Sequence, residues 1–364
     1  MEAKTKSCVV LPFLLLVAIF MQQCVHGESQ VPCLFVFGDS LSDNGNNNNL
    51  PSTTKSNYKP YGIDFPTGPT GRFTNGQTSI DLIVELVPQL LGFENFIPPF
   101  ANTSGSDTLK GVNYASGAAG ILPESGTHMG ANINLRVQML NHLFMYSTIA
   151  IKLGGFVKAK QYLNKCLYYV NIGSNDYINN YFLPQFYLTS RIYTPDQYAN
   201  ILIAQLSQYM QTLHDEVGAR KFVLVGMGLI GCTPNAISTH NTNGSCVEEM
   251  NNATFMFNAK LKSKVDQFNN KFSADSKFIF INSTSGGLDS SLGFTVANAS
   301  CCPSLGTNGL CIPNQTPCQN RTTYVFWDQF HPTEAVNRII AINSYNGSNP
   351  ALTYPMDIKH LVGF

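Results

Sequence analysis

Two short stretches of this chain supply a serine, a histidine and an aspartate at spacings suited to acyl transfer. Phe37-Gly38-Asp39-Ser40-Leu41-Ser42-Asp43 places a serine just beyond a glycine, and Trp327-Asp328-Gln329-Phe330-His331-Pro332-Thr333 sets a carboxylate three residues before an imidazole. A serine hydroxyl becomes a nucleophile when a base takes its proton, and a carboxylate can orient that base. Ser40 follows an apolar run and begins the next segment, where free backbone N–H groups favour developing negative charge. The same position also suits a helix cap. One turn of chain brings Asp328 to His331, and Pro332 biases His331 toward an extended backbone and can open a following helix.

Two more segments could stabilise the oxyanion of such a reaction. In Asn113-Tyr114-Ala115-Ser116-Gly117-Ala118-Ala119-Gly120, small residues let the backbone approach a ligand, and the Gly117 N–H is the candidate donor. In Asn171-Ile172-Gly173-Ser174-Asn175-Asp176, the Asn175 side-chain amide is another. Both segments also read as ordinary turns. There is no GxSxG nucleophile elbow and no HExxH metal motif. The scheme requires no cofactor and no metal.

The elements that must carry these segments are legible as apolar runs. Cys33–Phe37, Leu167–Ile172, Phe222–Val225 and Phe278–Ile281 are short, uninterrupted and β-rich, as in a parallel sheet covered on both faces. Helical spacing runs through Thr78–Leu91, Leu135–Leu153, Pro195–Val217 and Met250–Phe268. Strands alternating with helices predict a three-layer α/β domain, in which ligands sit beyond the carboxyl ends of the strands. The asparagine-rich run from Asn44 to Asn49 reads as a loop.

Composition narrows the class. Of 364 residues, 44% are hydrophobic and only 12% charged, with 22 basic and 22 acidic side chains and no long basic run, so no nucleic-acid partner is expected. Lys4 and Lys6 precede an apolar stretch from Val9 to Met21, and Val25 and Gly27 fit the small-residue positions of a cleavage site. Residues 1–27 are expected to be a signal peptide and 28–364 a single domain. About 13 apolar residues are too few to span a bilayer, and no later run is long enough, so no transmembrane segment is expected. Of ten cysteines, Cys8 and Cys24 fall in the signal, which leaves eight, an even number that fits disulfides in an oxidising compartment. Sequons at Asn102, Asn243, Asn252, Asn282, Asn298, Asn314, Asn320 and Asn346 agree with a secreted, extracellular destination, the cell wall included.

Six stretches in order carry a resemblance: FGDSLSDNGNNN from Phe37, GRFTNGQTSIDLI from Gly71, GVNYASGAAGIL from Gly111, NIGSNDY from Asn171, GLIGCTPN from Gly228 and FWDQFHPTEAVNR from Phe326. They span nearly the whole chain after the signal, which resembles a plant-type GDSL esterase/lipase of the SGNH hydrolase superfamily. The resemblance implies a three-layer α/β/α sandwich with a mostly parallel, flavodoxin-like sheet of about five strands in the order 2-1-3-4-5. It implies Ser40 as nucleophile and oxyanion donor, Gly117 and Asn175 as the other donors, His331 as base and Asp328 as its partner. The expected substrate is an ester: a lipid, a polyester or an acylated glycan. The alternatives are an acyltransferase with the same acyl-enzyme and a secreted binding protein that keeps only the fold. Pro303 departs from the glycine common among relatives and bears on local loop shape.

In the implied strand order Cys33 and Cys166 sit near adjacent strand starts, where a bridge fits. Cys232 and Cys246 flank a polar loop of 13 residues and form an expected pair. Cys301, Cys302, Cys311 and Cys318 have two realistic connectivities, because adjacent cysteines rarely bridge each other. Either one would pin the loop leading into Asp328 and His331.

Overall fold

The computed structural model describes residues 29–85, 91–103, 107–284, 290–304, 308–347 and 349–364. The expected signal peptide and its cleavage position lie outside them. Five parallel strands form the centre: β1 Leu34–Gly38, β2 Gly111–Asn113, β3 Leu167–Asn171, β4 Lys221–Val225 and β5 Lys277–Ile281. They stand in the order β2-β1-β3-β4-β5, and a two-residue strand, Thr353–Tyr354, pairs antiparallel to β5 at the edge. The sheet therefore has six strands where about five were expected. The edge strand is the additional one; it and β2, which the implied strand order required but no apolar run located, are two and three residues long, too short for a periodic signal.

Alternate side chains of each strand enter opposite layers, as the pleat requires. Phe35, Phe37, Tyr168, Phe222, Leu224 and Phe278 face one side. There they pack against helices α2 Leu135–Leu153, α3 Phe156–Leu163, α4 Pro195–Thr212 and α6 Glu248–Lys271. Leu34, Val36, Leu167, Val223 and Ile279 face the other side, against α1 Ser79–Glu85, α7 Glu334–Asn346 and α8 Ile358–Val362. A short helix, α5 Pro234–Thr239, follows the β4 end. Burial on both faces is why the strands read as unbroken apolar runs.

A second, two-stranded sheet of β6 Val296–Ser300 and β7 Tyr324–Phe326 was not expected. β6 is largely exposed, so it carries no apolar run to announce it. All four bridges join residues within reach in this fold: Cys33–Cys166, Cys232–Cys246, Cys301–Cys318 and Cys302–Cys311. The last two resolve the open choice. Among the described residues no helix is long and apolar enough to cross a membrane. Seven of the sequon asparagines are exposed and Asn282 is half-buried.

Candidate active site

Ser40 sits two residues past the end of β1, where Gly38 closes the strand. A side chain at Gly38 would meet the Asn171 carbonyl of β3 at 2.7 Å, so the two strands approach too closely there for anything larger. Gln138 of α2 brackets Gly38, accepting from its N–H at 2.9 Å and donating to its carbonyl at 2.8 Å. The exit of the strand, and with it Ser40, is thus tied to a helix 100 residues later in the chain.

His331 and Asp328 reach Ser40 from the far end of the sequence. His331 Nε2 lies 2.7 Å from Ser40 Oγ, and His331 Nδ1 lies 2.8 and 2.7 Å from the two carboxylate oxygens of Asp328. Asp328 Oδ1 also accepts from the backbone N–H groups of Phe330 and His331, both at 2.8 Å. The loop itself is braced: Trp327 N–H donates to the His331 carbonyl at 2.7 Å, and Trp327 is wholly buried. Cys301 and Cys302 donate their N–H groups to the carbonyls of Phe326 and Trp327 at 3.0 and 2.8 Å. Their disulfides therefore grip the chain just before the aspartate.

Sequence reasoning did not anticipate Tyr61. Its hydroxyl donates to Asp328 Oδ2 at 2.6 Å and accepts from Cys311 N–H at 3.1 Å. Burial, and then the neighbouring Asp328 charge, raise the Tyr61 hydroxyl well above its usual range, so it stays a donor. Phe73 lies against the His331 ring, with centroids 5.0 Å apart. Removing the tyrosine hydroxyl leaves Asp328 one donor short and strands the Cys311 N–H. Tyr61→Phe is expected to lower kcat by about tenfold with KM little changed, and to cost about 1–3 kcal/mol of stability in chemical denaturation. Unchanged kcat in the folded variant would make Tyr61 a packing residue only.

The asparagine-rich loop is a scaffold for the second segment. Asn46 Nδ2 donates to the carbonyls of Asn113 and Ala115, and Asn47 Nδ2 to those of Gly117 and Thr54. Asp43 accepts from the N–H groups of Gly45, Asn46 and Gly117 at 2.8, 2.8 and 2.9 Å. Burial pushes the Asp43 carboxyl up to about 6, and these donors act against that rise. From the other side Asp176 accepts from Ile121 N–H, Leu122 N–H and Ser125 Oγ.

This arrangement corrects the expectation for Gly117. Its N–H is spent on the Asp43 carboxylate, so it does not face the space beside Ser40. Ala118 lines the same cavity as Ser40 and holds a left-handed backbone, φ 64°, a conformation that costs a residue with a Cβ about 1–2 kcal/mol. Such strain persists where the surroundings enforce it, and it tends to gather at active sites. Among the described residues the N–H groups of Ser40 and Ala118 have no hydrogen-bond acceptor.

Asn175 is buried and lines the cavity as well. It sits in a single helical turn, Ser174–Asp176, after Gly173 with φ 135°. Its Oδ1 accepts from Asn179 Nδ2 at 2.6 Å, and its Nδ2 donates one hydrogen to the Ala119 carbonyl at 3.0 Å. Those two bonds fix the amide orientation, and among the described residues the second Nδ2 hydrogen has no acceptor. The cavity holds about 720 Å³. Leu229, Ile230, Ile237, Phe330, Val336 and Ile340 give it apolar walls, and the sequon residue Asn298 stands on its lining.

Comparison with known proteins agrees with the motifs. The GDSL-like Lipase/Acylhydrolase family matches residues 34–343. Two GDSL esterase/lipases of Arabidopsis thaliana are 49% and 47% identical, each over 98% of this chain and 98% of its own length. A third from the same plant is 45% identical over 96% of this chain and 97% of its own.

Proposed function

This chain belongs to the GDSL-like lipase/acylhydrolase family, and from that premise we propose that it is a secreted esterase in which Ser40, His331 and Asp328 carry the chemistry. The chain is a serine hydrolase of the SGNH type that acts on carboxylic esters. The proposed unit is one domain over residues 28–364, released from a signal peptide at 1–27.

The observation that carries the reading is the Ser40 Oγ to His331 Nε2 contact of 2.7 Å at the wall of an apolar cavity. Ser40 Oγ attacks the ester carbonyl as His331 Nε2 takes its proton, and Asp328 holds the imidazolium that forms. Negative charge on the carbonyl oxygen meets the N–H groups of Ser40 and Ala118 and the free Nδ2 hydrogen of Asn175. His331 then returns the proton to the leaving alcohol, and water repeats the sequence on the acyl-enzyme. The apolar walls suit the acyl part of the ester.

A donor that acts mainly on the transition state moves turnover and not binding. Asn175→Ala is expected to lower kcat by roughly 10²–10³-fold, with KM little changed. The assay is steady-state hydrolysis of a short p-nitrophenyl ester. A large rise in KM at constant kcat would make Asn175 a ground-state binding residue and remove it from the oxyanion site.

A further inference from the structure

Helix α2 is apolar on its outer face as well as on the face that packs against the sheet. Val137, Leu140, Phe144 and Ile151 are all exposed, Phe144 by 66% and Ile151 by 83%. At 100° per residue these four fall within about 60° of one another around the helix axis, in a stripe about 20 Å long. No other residue of α2 falls inside that stripe. The next helix continues it: Phe156 and Val157, at the start of α3, are 56% and 73% exposed. A buried helix accounts for apolar residues all round, but an exposed one leaves them unaccounted for.

The charges carried by α2 and α3 themselves are of one sign. Arg136 and Lys152 flank it on opposite sides of α2, and Lys158 and Lys165 lie on or just beyond α3, all four exposed. Between Glu124 and Asp176 the chain has no acidic residue, although its basic and acidic totals are equal at 22 each. None of the eight sequons lies on α2 or α3.

From this placement we propose that the outer face of α2 and the start of α3 dock onto a lipid surface bearing anionic headgroups. The apolar stripe enters the acyl boundary and the flanking cations meet the headgroups, the pattern of an interfacial helix that lies in the plane of the membrane. This face is separate from the Ser40 cavity, so the proposal stands or falls independently of the catalytic roles.

Sedimentation of the full-length protein with phosphatidylcholine vesicles, with and without phosphatidylserine, tests it. The protein is expected to pellet with the serine-containing vesicles and to be released by salt, with far weaker binding to phosphatidylcholine alone. Arg136→Gln is expected to weaken binding about fivefold. The double variant Phe144→Ser, Ile151→Ser is expected to weaken it at least about tenfold. Hydrolysis of a short soluble ester by both variants stays at the parent rate, which shows that they are folded. Equal binding by parent and variants, or no binding to either vesicle, overturns the proposal. So does a concentration-dependent dimer that the same substitutions dissolve, because the stripe would then be covered by a second copy.

Discussion

Ser40→Ala is expected to lower kcat for ester hydrolysis by roughly 10⁴–10⁶-fold while leaving the fold intact. The hydroxyl is the atom that forms the acyl bond, and Oγ is held 2.7 Å from His331 Nε2. Among the described residues no other hydroxyl is hydrogen-bonded to His331. Ser40 is 8% exposed and its side chain is small, so the substitution removes one hydroxyl without opening a large void. The residual rate reports what the oxyanion donors and binding contribute alone. Near-full activity in a folded Ser40→Ala protein would end the assignment.

Asp328→Asn is the second large effect, expected at about 10⁴-fold in kcat with little loss of stability. The cause is hydrogen-bond polarity. The carboxylate accepts from His331 Nδ1, from two backbone N–H groups and from the Tyr61 hydroxyl, so every neighbour is a donor. An asparagine keeps its oxygen toward the backbone N–H groups and must turn its NH₂ toward His331. The imidazole then takes the tautomer that accepts at Nδ1 and carries its hydrogen on Nε2, which can no longer receive the serine proton. Steady-state kinetics on the purified variant, beside its melting curve, separates this from unfolding. A loss below tenfold would mean that Asp328 does not set the tautomer.

How much of this was legible depended on where the signal lies in the chain. The strands were readable because burial on both faces makes them unbroken apolar runs, as in Phe278–Ile281, which the structure extends by one residue to Lys277–Ile281. Helix α2 was read with the bounds it has, Leu135–Leu153. The final part of the expected helix Thr78–Leu91 lies outside the described residues, and the described part runs Ser79–Glu85. Asp328 and His331 were readable because a single turn joins them.

Residues that act across the fold left no local mark. Tyr61 meets Asp328 over a separation of 267 residues. Gln138 looks like an ordinary polar position in an apolar helix, yet it clamps Gly38. The Asn44–Asn49 run has the composition of a loop, and nothing in its spacing shows that Asn46 and Asn47 hold the backbone of residues 113–117. Gly117 stands out in the sequence because small residues let the backbone approach a ligand closely. The left-handed residue that faces the cavity is Ala118, whose Cβ made it the less expected choice.

The most direct test of the central claim is covalent labelling with a fluorophosphonate, which captures only a serine activated by its neighbours. The account predicts one adduct per protein molecule, mapped by peptide mass spectrometry to Ser40, and none on the Ser40→Ala variant. Adduct on another residue, or no adduct on protein that hydrolyses esters, would contradict it.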